Sequence, residues 1–254
     1  MQELKGKTAL VSGGGRGIGR AIVEKLAADG ALVAINYAGN RSAAEAALKA
    51  VTGAGGEGFL VQAKIGEAGA IEHLVETVIT EFEHRTGRAQ LDILVNNIGG
   101  GEHATIATET EAHFDWVMSN NVRGPFFLTQ ALLPYLADGG RIVNISSAAS
   151  RLAGVTFISY SMAKAAVEMF TRVLAKDLGK RGITVNSVAP GYCTGETNQE
   201  VEGNPELARQ IEQNTLLGRF GHPTDIADIV HALIAPPGRW LTGQNIEASG
   251  GFNF

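Results

Sequence analysis

The sequence predicts a doubly wound α/β fold: one mainly parallel sheet of about seven strands with helices on both faces. Three observations predict it. Short apolar runs alternate with helix-length amphipathic segments almost from end to end, the pattern of a parallel sheet joined by helical crossovers. Within the runs apolar and polar residues do not alternate, as expected of strands covered on both faces. Polar or glycine-rich stretches follow the runs, where an open α/β sheet gathers its ligand-binding loops. With no linker or repeat to divide them, residues 1–254 are expected to form one domain.

The first run, Thr8-Ala9-Leu10-Val11, starts so soon after Met1 that no signal peptide is expected. The turn Ser12-Gly13-Gly14-Gly15-Arg16-Gly17-Ile18-Gly19 follows. Ile22, Val23 and Leu26 then mark one face of a helix over 17–29, stopped by Asp29-Gly30. Strand, glycine turn and helix in this order suit a dinucleotide pyrophosphate. Glycine admits the phosphates close to the backbone, and the helix start offers N–H groups and a positive dipole end. The spacing G-x-x-x-G-x-G departs from the common fingerprint, and a plain tight strand–helix connection looks the same.

Ala31 to Ile35 reads as the second strand, Arg41 to Val51 as an alanine-rich helix, and Phe59 to Val61 as the third strand. Leu74, Val78 and Phe82 belong to the apolar face of a helix over 67–86. Leu91 to Val95 is the fourth strand, ending in Asn96-Asn97. One long helical region is expected over 111–137, a fifth strand over 141–145 ending at Ser146-Ser147, a helix over 158–180 and a sixth strand over 183–188. The polar stretch 194–214 reads as a mobile helix or substrate lid. Pro223 to Ile234 is a helix opened by a proline and an acid, and Gln244 to Glu247 is the last strand.

Composition narrows the function classes. A net charge of −5 leaves nucleic-acid binding without an electrostatic footprint. No apolar run reaches the roughly 18 residues of a membrane span. The single cysteine, Cys193, cannot form an internal disulfide and fits a reducing, cytoplasmic setting. His73, His84, His103, His113, His222 and His231 show no ligand spacing with cysteine or carboxylate clusters, so no metal site is expected. His103 falls on a glycine-rich loop near the expected cleft, as an exposed residue or a substrate contact.

The chemistry is suggested by Tyr160-Ser161-Met162-Ala163-Lys164, which puts a phenol and an ammonium one helical turn apart. An ammonium beside a phenol favours the phenolate and brings proton exchange toward neutrality. Ser147, closing the fifth strand, is in place to hydrogen-bond the same substrate oxygen. Taken alone, the spacing also fits a surface lysine beside a half-buried tyrosine.

Seven segments together are specific: S-G-G-G-R-G-I-G (12–19), N-N-I-G (96–99), N-V-R-G-P-F (121–126), G-R-I-V-N-I-S-S (140–147), Y-S-M-A-K (160–164), R-G-I-T-V-N-S-V-A-P-G (181–191) and T-G-Q-N-I-E-A-S-G-G (242–251). In these segments, in order and over nearly the whole chain, the sequence resembles a short-chain dehydrogenase/reductase, in particular 3-oxoacyl-carrier-protein reductases and small ketone reductases. The resemblance implies a tetrad of Asn121, Ser147, Tyr160 and Lys164. Tyr160 would be the proton donor and Ser147 would orient the carbonyl. Lys164 would hold the nicotinamide ribose and lower the tyrosine pKa. Asn121, with Asn120 as a rival, would hold a water linking Lys164 to solvent. Gly13, Gly15, Gly17, Ile18, Gly19, Asn97, Ile98 and Gly99 would line the cofactor cleft. Pro190 and Gly191 would wall the nicotinamide, with Cys193 as a small wall residue. The resemblance also implies a homo-oligomer, dimer or tetramer, built on the Tyr160 helix and the region around Phe126-Phe127.

Some positions depart from the family pattern. Ser12 stands for the usual Thr, Gly15 for a common Ser, Ile98 for Ala, and Lys64-Ile65 for the usual adenine-binding Asp and its neighbour. After Pro190-Gly191, Thr194 comes one place early. The second strand leads into Tyr37-Ala38-Gly39-Asn40-Arg41 with no carboxylate to hold a ribose 2′-hydroxyl or repel a 2′-phosphate. Arg16, Arg41, Asn40 and Lys64 are the candidate 2′-phosphate and adenosine contacts, so NADPH is the expected cofactor. Arg181 matches a basic position of carrier-protein reductases, but Asp138 stands where another base is typical, so small free ketones or thioesters are expected to serve better than a carrier-bound acyl chain. Two other readings stay open: an NAD-dependent alcohol or sugar dehydrogenase, and a non-catalytic dinucleotide-sensing regulator, against which the intact Ser147, Tyr160 and Lys164 argue.

Overall fold

A computed structural model of the chain describes residues 2–152, 154–195 and 198–253. Its elements begin with β1 (Thr8–Val11), α1 (Gly17–Ala28), β2 (Leu32–Tyr37), α2 (Arg41–Gly53), β3 (Glu57–Gln62), α3 (Ala70–Thr86) and β4 (Leu91–Asn96). They continue with α4 (Glu111–Met118), α5 (Gly124–Leu132), β5 (Leu136–Ile145), α6 (Ala149–Leu152), α7 (Ile158–Leu178) and β6 (Thr184–Pro190). The last are α8 (Gln199–Glu202), α9 (Pro205–Asn214), α10 (Pro223–Ile234) and β7 (Asn245–Ala248).

Seven strands form one sheet in the order β3-β2-β1-β4-β5-β6-β7, every neighbouring pair parallel. The chain turns outward from β1 to β2 on one side and restarts at β4 on the other. The loops after β1 and β4 therefore part at their carboxyl ends and open a crevice, the switch point at which such sheets bind ligands.

Both faces are covered, which is why the strands read as unbroken apolar runs. On one face Val33 and Ile35 of β2 pack under Ile22, Val23 and Leu26 of α1 and Val230 of α10. On the other, Leu32 and Ala34 meet a layer containing Leu74, Val78 and Phe82 of α3 and Leu128 of α5. Each fully buried aliphatic side chain contributes about 1.5–3 kcal/mol, so these two layers dominate the stability.

Several boundaries differ from the sequence reading. β2 and β3 are longer, because their ladder, from Leu32 opposite Glu57 to Tyr37 opposite Gln62, is held by backbone hydrogen bonds and carries polar residues at its ends. α3 starts at Ala70, since Gly66 and Gly69 adopt φ of +116° and +74° just before it. The helical region expected over 111–137 is three pieces. A π turn over Ser119–Arg123 joins α4 to α5, and the chain has left the helix by Leu136, which pairs with Leu91.

In the polar stretch 194–214, residues 196 and 197 lie outside the described residues. α9 in this stretch is anchored: Ile211 packs with Phe220 and Phe252, against Tyr192 and Leu152. The Leu217 N–H donates to Gly250 O at 3.1 Å and the Asn253 N–H to Asn214 O at 2.8 Å. Arg151 clasps both carboxyl oxygens of Glu247 at 2.8 Å, beside this pairing.

Candidate active site

The glycine turn is built by polar groups from three strands. Ser12 Oγ, at the end of β1, accepts the N–H groups of Asn97 (3.0 Å) and Ile98 (3.2 Å) beyond β4. Asn97 Nδ2 returns the contact, donating to Ser12 O (3.0 Å) and Gly13 O (3.1 Å). Asn36 of β2 accepts the Gly13 N–H through Oδ1 at 3.3 Å and donates through Nδ2 to Val61 O and Ala63 O. Gly13 has φ +63° and Gly17 φ +53°, conformations that favour glycine. A methyl at Gly19 would collide with the Gly13 carbonyl and the Asn97 amide, and one at Gly15 would press on Ala44 at 3.3 Å. No side chain caps α1 at Arg16, and no carboxylate occupies its first turn. A left-handed glycine turn against an acid-free helix start fits a dinucleotide pyrophosphate. Ile18 is half-buried and packs on the core under α1.

Tyr160 and Lys164 share a face of α7, and Ser147 follows β5. Ser147 Oγ accepts the Ala149 N–H at 3.2 Å, and its hydroxyl lies near enough to Tyr160 to bear on the phenol's pKa. Lys164 is 3% exposed, and its Nζ donates to Ile145 O at 3.0 Å. Burial lowers its pKa to about 8. The expected lowering of the tyrosine pKa is not found. Burial raises Tyr160 above its ordinary value, opposed only by the Ser147 hydrogen bond, because the ammonium lies 5.5 Å from the ring centroid and turns to the Ile145 carbonyl. The group is a protonated phenol at neutral pH.

Asn121 lies in the π turn. Its Nδ2 donates to Gly100 O (2.7 Å) and Val117 O (2.8 Å), and its Oδ1 accepts the Gly100 N–H at 3.1 Å. Asn120, its rival, donates instead to Trp116 O. Asn121 and Lys164 converge beside Gly99: a methyl there would lie 2.5 Å from Asn121 Oδ1 and 2.7 Å from Lys164 Nζ. π turns recur at functional sites, and this one carries Asn121 into the group. Gly101 similarly makes room for the Tyr160 ring, which a methyl would meet at 2.9 Å.

Where the resemblance puts the nicotinamide, Pro190 closes β6, and a methyl on Gly191 would strike Ser249 at 2.9 Å. Cys193 is buried against Gly221, and burial pushes its thiol up to about 11. Among the residues expected to face the adenosine, Tyr37 is buried at the end of β2 and Ala38 is exposed. Asn40 Oδ1 caps α2 by accepting the Ala43 N–H at 3.0 Å. Arg16 is exposed at the start of α1. Arg41 pairs with Glu45, and Lys64 with Glu67, each at 2.8 Å. Lys64 thus already has an acidic neighbour, and the Ile65 side chain is buried in the core at 1% exposure.

Sequence reasoning missed the buried polar ladder beneath the site. Asn96 Nδ2 donates to Asn144 Oδ1 (2.8 Å) and Thr129 Oγ1, and Asn144 Nδ2 donates to Thr171 Oγ1 (2.8 Å). The signal was Asn96 directly after the apolar run Ile93-Leu94-Val95. The fold also makes a contact that the histidine spacing did not show: His231 lies 2.8 Å from Asp29, with Glu3 adjacent, where α1 and α10 end, away from the crevice. His103 is exposed, with its ring tilted at 42° against Phe157 at a centroid distance of 4.2 Å, and Phe157 lies next to Tyr160.

A family model described as enoyl-(acyl carrier protein) reductase matches residues 13–253. The chain belongs to the short-chain dehydrogenase/reductases. This short-chain dehydrogenase/reductase is 41% identical over 252 residues to an uncharacterized oxidoreductase of Methylorubrum extorquens, covering 99% of both chains. It is 35% identical to a 3-oxoacyl-[acyl-carrier-protein] reductase of Staphylococcus aureus, over 96% of this chain and 97% of the other. Among solved structures it is similar to the angucycline C-6 ketoreductase LanV with bound NADP. The TM-score is 0.94 at 41% identity, covering 99% of this chain and 97% of that one.

Proposed function

We propose that this oxidoreductase uses NADPH to reduce the keto carbonyl of a small ketone or of a free 3-oxoacyl thioester. The observation that carries the proposal is the convergence of Ser147, a protonated Tyr160, Lys164 and Asn121 at the carboxyl end of the sheet, beside the glycine turn. The turn and the start of α1 would hold the pyrophosphate, and Arg16 the 2′-phosphate. NADP in LanV supports this choice. Bound there, NADPH supplies the hydride that goes to the carbonyl carbon.

The protein supplies the proton and the geometry. Ser147 has one hydroxyl proton to offer, and pointing it at the carbonyl oxygen polarises the carbon for attack. Tyr160, kept protonated by burial, gives its proton to the same oxygen as negative charge develops there. Lys164, with its pKa lowered to about 8 while that of Tyr160 is raised, is the stronger acid of the two and can return a proton to the phenolate. Asn121 holds the loop at Gly100 against the π turn and keeps a carbonyl oxygen beside Lys164 for a relaying water. Exposed Phe126 and Phe127 of α5 and Met169 and Val173 of α7 support a homo-oligomer packed on that face.

Rates of NADPH and NADH oxidation over a panel of ketones and thioesters test the reading. Turnover with NADPH is expected, and Tyr160→Phe should lower it by about 10²-fold or more while NADPH binding stays near that of the unaltered enzyme. Wild-type-like turnover in that variant would sink the mechanism, and cofactor binding with no turnover on any carbonyl would favour a dinucleotide sensor.

A further inference from the structure

We infer that Glu168 is a positioning residue that holds Ser147 at the reacting carbonyl; this rests on the ketone-reductase reading above and deepens it. Glu168 lies on α7 one helical turn beyond Lys164, on the same face. Its Oε1 accepts two hydroxyls, from Ser146 at 2.9 Å and from Ser150. These two serines flank Ser147, one immediately before it and one at the next turn of the chain. A single side-chain oxygen therefore grips the Ser147 segment on both sides and ties it to the helix that carries Tyr160 and Lys164.

The arrangement bears on Ser147 directly. The Ser150 N–H donates to Ser147 O at 3.0 Å and the Ala149 N–H to Ser147 Oγ at 3.2 Å, so the orientation of the Ser147 hydroxyl is set by the turn that Ser150 closes. Without the Glu168 oxygen, the two hydroxyls fall back on main-chain carbonyls, Ser146 on Lys164 O at 3.2 Å and Ser150 on Ser147 O at 2.8 Å. The second of these keeps the turn but releases it from α7. Hydrogen bonds to a carboxylate are the stronger kind, yet both donors use the same oxygen, so a neutral amide oxygen at that place would accept both.

That last point makes the role testable. Steady-state kinetics on a ketone that the unaltered enzyme reduces, together with NADPH fluorescence titration, are measured for E168L, E168Q and an S146A/S150A variant. E168L is expected to lose roughly tenfold to a hundredfold in kcat, the scale of a small misplacement of a catalytic group, with the Kd for NADPH nearly unchanged. E168Q should recover most of that loss. S146A/S150A, which keeps the carboxyl and removes both donors, should reproduce the loss, and it decides the matter if E168L does not fold. In an S147A background E168L should cost almost nothing further, since a residue acting through Ser147 is not additive with it. Additive losses, an E168Q variant as impaired as E168L, or an S146A/S150A variant as active as the unaltered enzyme would each overturn the assignment while leaving the ketone-reductase reading standing. An unaltered enzyme that reduces no ketone or thioester would remove that reading and this inference with it.

Discussion

Arg16 is exposed at the position just before α1, whose first turn carries no acidic residue. A guanidinium here suits a 2′-phosphate, because its planar fork of donors can meet two phosphate oxygens at once. Arg16→Ala is expected to raise the Kd for NADPH roughly tenfold, about 1.4 kcal/mol, and to leave NADH almost unaffected. Equal weakening of both cofactors in a fluorescence titration would remove Arg16 from the phosphate site. Lys164 makes a second prediction. Burial lowers its pKa to about 8, so the unfolded chain binds this proton more tightly than the folded one. Below pH 8 both states are protonated and the folded state bears the full cost of a buried ammonium. As pH rises from 8 toward the ordinary lysine range, the folded state sheds the proton first and the cost fades, so this residue makes stability rise with pH. Lys164→Met should therefore raise the Tm of the cofactor-free protein by a few degrees at about pH 7, and by less at about pH 9.5, while abolishing turnover. A lower Tm at neutral pH would show that the hydrogen bond to Ile145 O outweighs the burial cost.

At the scale of elements, the anchor of α9 on Phe252 is the feature with a measurable role. Ile211, Phe220 and Tyr192 meet Phe252, and the chain at 214–217 is hydrogen-bonded to 250–253. Phe252→Ala removes the central ring of a small apolar cluster remote from the glycine turn. The KM for the ketone is expected to rise more than kcat falls, with NADPH affinity kept, and tryptic cleavage at Arg209 should accelerate. Unchanged cleavage and KM would show that α9 is held without Phe252. Element boundaries also show how far the sequence could be read. The strands of the sheet were legible because burial on both faces forces apolar runs, and the shared helix face of Tyr160 and Lys164 because they stand four residues apart. The π turn at Ser119–Arg123 was not, since one extra residue in a helical turn leaves no trace in apolar spacing. The early start of β5 was hidden by Asp138-Gly139, which reads as a turn and in fact sits within a strand where Gly139 has φ +75°. Glu168 was invisible for a different reason: its partners lie in another element, and only the fold brings them to one oxygen.

For the whole molecule, charge bears on the class of substrate carrier. The net charge is −5, and Arg181, the basic residue that matches a carrier-docking position, donates to Asp138 at 2.8 Å and to the carbonyls of Leu133 and Leu136. A guanidinium engaged in this way offers little to an acidic partner. The expected outcome is a higher kcat/KM for small free ketones or thioesters than for the same acyl group on a carrier protein; a clear preference for the carrier-bound form would overturn it. The clasp between Ser12 and Asn97 has a consequence in time as well as in space. Its two halves are more than eighty residues apart in sequence, so no local segment contains the cradle, and closing it carries the entropic cost of a long loop. Helices such as α1 can form early from nearby contacts, but the turn in front of α1 acquires its shape only once β4 has docked beside β1. The ability to hold a dinucleotide is thus a late acquisition of the folding chain, and a partly folded molecule with most of its helices in place would still have nowhere to put one.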